Sequence, residues 1–429
     1  MSAMTKNAFI LNFFKLYNML WKLSLPFLKS DKRLKSGFKR RRFSNHHSKA
    51  DIWIQAASAG EAHLAANIIQ TLKPRIKIKI LVTSTTSQGI NILKTRLTKK
   101  TINHFIEIKI EWFPFDMPET IKKAVTNINP CIMVLLETEI WPALLYYLKK
   151  NKSKIFIINA RMSKKSFNNY MKTKFLWQHL SPDIILATSN LDAKKYQCLF
   201  DNAVIKTMSN IKFDSIGINI PDTETKKQIK TILPGSLPLT ILASIRKEEE
   251  KEIILLLKKV LNSFPKQIIA VFPRHMHRIK AWEKLLNSHN LKFHLKSTIF
   301  TPLKNPEIIL WDTFGELQAA YTHASIVFVG GSLKPLGGQN FLEPASTGAV
   351  TITGPYYDDF AWTGDDIFKQ QIVIKKNSWK SAARTIIQNL DNPADKQKYF
   401  LQSQKYIGSH QGGTLHACNN ILKAFDQYI

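Results

Sequence analysis

Residues 52–84, IWIQAASAGEAHLAANIIQTLKPRIKIKILVTS, contain one unit of the fold: an apolar run, a turn of small residues, a helix-length segment and a second apolar run. A short continuous apolar run suits a strand buried on both faces of a sheet. The helix-length segment is what carries a chain back to begin a parallel neighbour. The rhythm continues through HFIEIKIEWFPF, CIMVLL, KIFIINA and IILATS. After Phe213 it breaks in the polar stretch SIGINIPDTETKKQIKTILPGSLP, then resumes in LTILAS, QIIAVFP, IILWD, IVFVGG and AVTITG.

This pattern predicts an α/β protein of two Rossmann-like domains with parallel sheets. A chain of 429 residues also exceeds the size at which a single core stops growing. The expected division is an amino-terminal anchor or interfacial helix with a basic segment over 1–45, a first domain over 46–216 and a second over 217–429. Ligands of such sheets collect at the carboxyl ends of the strands, where backbone amides and helix amino termini converge. Two such halves make a cleft.

Three widely separated cysteines, Cys131, Cys198 and Cys418, fit neither a disulfide framework nor a metal-ligand spacing and point to a reducing compartment. The formal charge of +31 suits anionic lipid, phosphate-bearing substrates or nucleic acid, and alone does not choose among them. The start is more specific. FILNFFKLYNMLWKLSLPFL, ending at Leu28, is apolar and aromatic but interrupted by Lys15 and Lys22, so an interfacial helix or an anchor with snorkelling lysines fits as well as a full crossing. KSDKRLKSGFKRRRF follows, ending in Lys39, Arg40, Arg41 and Arg42 before Phe43, and basic residues beside a membrane contribute about 1 kcal/mol each on anionic lipid. No stacking platform or reading helix accompanies the run, so nucleic acid is not an expected partner.

Glu61 follows the small-residue turn Ser58-Ala59-Gly60 and reads either as a first-turn carboxylate favoured by the helix dipole or as a general base facing the ligand. Glu137 and Glu139 leave the strand CIMVLL, where one carboxylate can cap the next helix and the other can stabilise developing positive charge. Arg161, Lys164 and Lys165 in INARMSKKS and Lys212 in SNIKFD offer cations to an anionic substrate, or are solvated loop charges. In the second half, Pro273 and Arg274 end a strand, where a guanidinium can grip a phosphate. VFVGGSLKPLGGQNFLEPAS has the outline of a phosphate-and-ribose site: Gly330, Gly331 and Ser332 after a strand, the pair Gly337-Gly338, then Asn340 to Glu343 opening a helix. No Walker motif or GxGxxG follows the first strand, which argues against an NTPase or a dehydrogenase. His275 and His277 lack the companions of a metal site.

The motifs ASAGEA, TSTTSQG, PFDMP, ETEIWP, NARMS, SNIKFD, FPRH, DTFGEL, GGSLKPLGGQNFLEPA and TGP, in this order between Ile52 and Phe360, resemble the 3-deoxy-D-manno-octulosonic acid (Kdo) transferase family. The resemblance implies a GT-B architecture with two Rossmann-like domains facing a central cleft, acceptor on the first and CMP-Kdo on the second. It implies direct, inverting transfer of Kdo onto the lipid A precursor lipid IVA, without metal or other cofactor, at the cytoplasmic side of the inner membrane. Carried onto matching positions, Glu61 is the general base, and Glu137 and Lys212 stabilise the transition state. CMP contacts Pro273, Arg274, Gly315, Glu316, Leu317, Asn340, Phe341, Leu342 and Glu343. Two departures stand out: Ser244-Ile245-Arg246-Lys247 replaces the family's Ser-Thr-His-Glu type of turn, and Gln339 follows Gly337-Gly338 where many members have histidine. A GT-B transferase using another nucleotide sugar shares the same outline.

Overall fold

The computed structural model describes residues 3–29, 37–42, 49–98, 101–216, 223–233, 237–303, 305 and 307–428. The chain forms two compact units, Met1–Asp214 with Gln411–Ile429, and Ser215–His410. In the first, β1 (Ile52–Ala56), β2 (Ile78–Ser84), β3 (Ile106–Trp112), β4 (Ile132–Leu136), β5 (Lys154–Ala160), β6 (Ile184–Ala187) and β7 (Val204–Thr207) form one parallel sheet in the order β3-β2-β1-β4-β5-β6-β7. Successive side chains point to opposite faces. Trp53, Met133, Leu135, Ile155 and Ile157 enter one core, while Ile52, Ile54, Ile132, Val134, Phe156 and Ile158 enter the other. Both faces are covered, so the strands need uninterrupted apolar runs. The strand order reverses between β1 and β4, and the connections leaving these two carboxyl ends diverge around a crevice.

The amino-terminal helix, expected as an anchor or interfacial segment apart from the first domain, packs within this unit. The helix Ala3–Leu28 buries Ile10 and Phe14 in the first core and stacks Phe14 against Tyr146, ring centroids 4.3 Å apart. Tyr17 donates to Asp116 Oδ2 at 3.0 Å, and Lys22 pairs with Glu119 at 2.7 Å. Among the described residues no helix is long and apolar enough to cross a membrane. Arg41, expected in the lipid-facing basic run, turns inward: it is 5% exposed, donates from Nε to the Phe113 carbonyl at 3.1 Å and lies over the Phe115 ring. Residues 30–36 and 43–48 of that region lie outside the described residues.

The carboxyl terminus also departs from the expected 217–429 division. The helix Gly413–Phe425 packs on the first sheet, with Ala417, Cys418, Ile421 and Phe425 in its second core. Asp214 fixes the helix start, accepting from the N–H groups of Gly412 at 2.7 Å and Thr414 at 2.6 Å. The reason is packing: the face of β1, β4 and β5 that carries Ile54, Val134 and Phe156 needs a cover, and this helix supplies part of it.

The second unit repeats the plan with β8 (Leu239–Ile245), β9 (Ile268–Pro273), β10 (Phe293–Leu295), β11 (Ile308–Leu310), β12 (Ile326–Val329), β13 (Val350–Thr353) and β14 (Val373–Lys375). They are parallel in the order β10-β11-β9-β8-β12-β13-β14, and the reversal falls between β8 and β12.

Asp116 ties the first helix to the helix that follows β4. Fully buried, it accepts from the N–H groups of Ala143 at 3.1 Å and Leu144 at 2.9 Å, capping the helix Pro142–Lys150 while holding Tyr17. Asp116→Ala strands those two amides and is expected to lower unfolding free energy by about 2–4 kcal/mol, against about 1 kcal/mol for Tyr17→Phe, both read from urea melts.

Candidate active site

The crevice of the first unit gathers Glu61, Glu137, Glu139, Arg161 and Lys212. Glu61 is the third residue of the helix Ala59–Thr71, whose N-cap is Ser58. Ser58 Oγ accepts from the Glu61 N–H at 3.3 Å and donates to Glu61 Oε1 at 2.9 Å, while the Ala57 N–H donates to Oε2 at 2.8 Å. Ser58 caps the helix and the Glu61 carboxylate reaches back past it to the Ala57 amide, so the first-turn reading of Glu61 is realised. The same bonds orient a buried carboxylate at the switch point, each oxygen keeping a lone pair. Burial pushes its pKa up to about 6; the Ala57 and Ser58 bonds oppose the rise, Glu137 adds to it and Lys212 lowers it.

Glu137 follows β4 directly in a left-handed conformation, φ 54°, a costly backbone for a non-glycine residue that the surroundings hold in place. The Tyr196 hydroxyl donates to its carbonyl at 3.1 Å. Its carboxylate is paired twice, Oε1 with Lys212 Nζ at 2.8 Å and Oε2 with Arg161 at 3.0 Å. Lys212 is placed by a turn built from distant parts of the chain. Asn159, buried and also left-handed at the end of β5, accepts from the Ile211 N–H at 2.9 Å, and Asp214 binds the last helix. Thus the sequence-expected trio Glu61, Glu137 and Lys212 is brought together in one electrostatic cluster.

Neither glutamate of the ETEIWP motif caps the following helix, which was one expectation; Asp116 does. Glu139 instead accepts from the Trp141 indole N–H at 2.7 Å. Burial first, then the charge of Glu61, push its carboxyl up to about 8, so near neutrality it is largely protonated while Glu61 is largely ionised. Lys164 and Lys165 stay on the exposed surface.

In the second unit, Pro273 ends β9 and leads to an exposed Arg274, whose N–H donates to the Ile245 carbonyl at 2.8 Å. Asn340 donates to Glu343 Oε1 at 2.8 Å and accepts from the Leu342 N–H at 3.1 Å. Burial raises the Glu343 pKa, and the Asn340 bond and the charge of Arg274 oppose it. Asn340, Glu343 and Arg274 therefore act on one locality. Phe341 and Leu342 are fully buried, Phe341 against Phe360 and Phe368, so of these two only the main chain is available to a ligand.

Gly315, at φ 89°, leads to Glu316 and the short helix beginning at Leu317. Glu316 is already engaged by Lys296 at 2.9 Å, the Trp311 indole at 2.9 Å and the Thr313 hydroxyl at 2.7 Å. Burial resists its charge, but these donors outweigh it and hold the pKa below the usual range.

The glycine-rich loop departs from its expected role. The amides of Gly331, Ser332 and Leu333, read from sequence as open to a phosphate, all donate to the buried carboxylate of Glu249. Nor is Gly337-Gly338 an open flexible turn. A side chain at Gly337 would meet Asp359, and the Gly338 N–H donates to the Gly331 carbonyl at 2.9 Å. Sequence reading gave no role to Asp116, Asn159 or Glu249. Glu249 stands in the acidic run Glu248-Glu249-Glu250 after β8, where it and Glu250 agree with the family pattern.

Residues 32–215 match the family model for 3-deoxy-D-manno-octulosonic-acid transferase. The chain is 28% identical over 382 residues to the Haemophilus influenzae 3-deoxy-D-manno-octulosonic acid transferase, covering 87% of each. It is 27% identical over 409 residues to a bifunctional glycosyltransferase/methyltransferase of Fusobacterium nucleatum, covering 91% of this chain but 62% of that longer protein. Among solved structures, a glycosyltransferase from Rickettsia africae aligns with TM-score 0.55 at 11% identity, over 88% of this chain and 99% of that one, a likeness of fold. The two parallel sheets are those of the GT-B fold, and over most of its length the chain is similar to 3-deoxy-D-manno-octulosonic acid transferases.

Proposed function

We propose that this protein transfers Kdo from CMP-Kdo to a sugar hydroxyl of lipid IVA, the acylated, phosphorylated lipid A precursor, by direct inverting displacement with Glu61 as general base. The observation that carries the reading is the Glu61 carboxylate, aimed by Ala57 and Ser58 at the reversal point of the first sheet and raised in basicity by burial. The acceptor oxygen forms its bond to the anomeric carbon as its proton passes to Glu61. The bond from that carbon to the phosphate oxygen breaks, and its electron pair leaves with CMP. A carboxylate with a pKa near 6 is mostly ionised at neutral pH yet a stronger base than an ordinary glutamate. Glu137, held by Lys212 and Arg161, sets the field around it. On the donor side, Arg274, Asn340 and Glu343 supply a cation and hydrogen-bonding groups suited to a nucleoside monophosphate.

The proposal extends to the lipid surface, with the catalytic body on the cytoplasmic side of the inner membrane. What supports it is the outward side of the first helix: Leu16, Met19, Leu20, Leu23 and Phe27 are 52–79% exposed, opposite the buried Ile10 and Phe14. Exposed Lys15, Lys39, Arg40 and Arg42 occupy the same amino-terminal region. An apolar stripe beside cations fits an anionic interface.

Purified protein is expected to release CMP from CMP-Kdo only when lipid IVA is present, with CMP but not UDP as an effective inhibitor; inhibition by UDP alone would point to another nucleotide sugar. Glu61→Gln should lower kcat by about 10²- to 10⁴-fold while calorimetric CMP binding stays unchanged. In the wild type, kcat/KM should fall as pH drops through about 6, because the base becomes protonated. Lys212→Met removes a cation that favours the ionised form, so this acid limb should move to higher pH. For the lipid surface, Leu20→Glu with Leu23→Glu should abolish sedimentation with anionic vesicles at an unchanged melting temperature, and retained sedimentation would contradict the interfacial role.

A further inference from the structure

Glu249 lies in the turn after β8 and has no solvent-exposed surface. Its carboxylate accepts main-chain N–H groups from Gly331, from Ser332 and Leu333 at 3.2 Å each, and from Arg246 at 3.1 Å. Converging amides of this kind form a nest for an anion. Here the chain supplies the anion itself, from the turn after the strand across the reversal point of the second sheet. The fit is close: a Cβ on Gly330 would stand 2.5 Å from Glu249 Oε1.

The same loop is fastened to the next strand, for Ser332 Oγ donates to the Val329 carbonyl at 2.6 Å and accepts from the Gly354 N–H at 2.8 Å. On the other side, Ser244 ends β8 in a left-handed conformation, φ 55°, and the pairing of β8 with β9 shifts register between Leu242 and Ile245. Glu249 thus links an irregular strand end to the loop that leads toward Gly337 and the Asn340–Glu343 segment. Burial opposes its charge and the four amides favour it.

We propose that Glu249 is a positioning residue for the donor: it saturates the Gly331–Leu333 amides, fixing this loop and leaving the donor phosphate to Arg274 and the Asn340–Glu343 segment. The inference rests on the reading that the second unit binds a cytidine nucleotide. It also accounts for the altered Ser244-Ile245-Arg246-Lys247 turn, since the contact made there by Arg246 to Glu249 is through its main chain and does not require a particular side chain.

The test is calorimetry of CMP binding with the full chain. E249Q keeps the volume but turns an amide toward four N–H donors, and its Kd for CMP is expected to rise about tenfold or more. In the transfer assay the loss should appear in the donor KM, with the acceptor KM unchanged. E249A empties the nest. Formate should raise its melting temperature, leave the wild type unaffected and restore CMP binding to E249A. Wild-type affinity in E249Q would overturn the proposal, as would formate that stabilises E249A without restoring CMP binding, the mark of a merely structural carboxylate. If the wild type itself fails to bind CMP, the reading of the donor falls, a result distinct from either.

Discussion

Asp116, Asp214, Glu61 and Glu249 each place a carboxyl group at a strand end or the turn beyond it, and each is satisfied by main-chain N–H groups of another turn or of its own helix start. The rest of the site depends on this interaction. A carboxyl group taken from water is costly without donors, and amides at a helix start are donors without intrahelical partners. Each pairing therefore satisfies both needs and fixes where a loop must run. Asp116 sets the helix that follows Glu139, Asp214 sets the turn that carries Lys212, and Glu249 sets the loop beside Asn340. The parallel sheets provide the reversal points, and the carboxyl-to-amide ties convert them into defined surfaces.

Electrostatics within the first crevice follow from unequal partnering. Glu137 has two cations, Glu61 has two neutral donors, and Glu139 has the Trp141 indole and a charged neighbour in Glu61. Glu61 and Glu139, neighbours in one locality, thereby acquire different proton affinities, which is how carboxylates of one type can be assigned different tasks. The large positive charge of the chain is a separate matter, suited to an anionic acceptor and to an anionic surface.

The strands were legible because burial on both sheet faces forces apolar runs, as in IMVLL of β4, and the glycine and glutamate motifs stood where those runs end. Glu61, Glu137 and Lys212 were legible as a group through the family resemblance, and the pairing of Lys212 with Glu137 agrees with it. What escaped were contacts between residues far apart in the chain. The last helix binds Asp214 across some 200 positions, Tyr17 reaches Asp116 across 99, and Glu249 reaches Ser332 across 83. No local pattern encodes such partners. Arg41 escaped for a similar reason: within a basic run its side chain is indistinguishable from its neighbours until Phe113 and Phe115 are seen beneath it. The Gly331 loop misled because amides that look open in sequence are filled by a carboxylate from the turn after β8.

The central claim is that the Glu61 crevice catalyses addition of Kdo to a lipid acceptor. Mass spectrometry of a tetra-acylated, bis-phosphorylated lipid A precursor after incubation with CMP-Kdo and the purified protein tests it most directly. The account predicts mass increments of one or more Kdo residues, their number reporting how many are added in succession. An unmodified acceptor alongside intact donor and folded protein would contradict it.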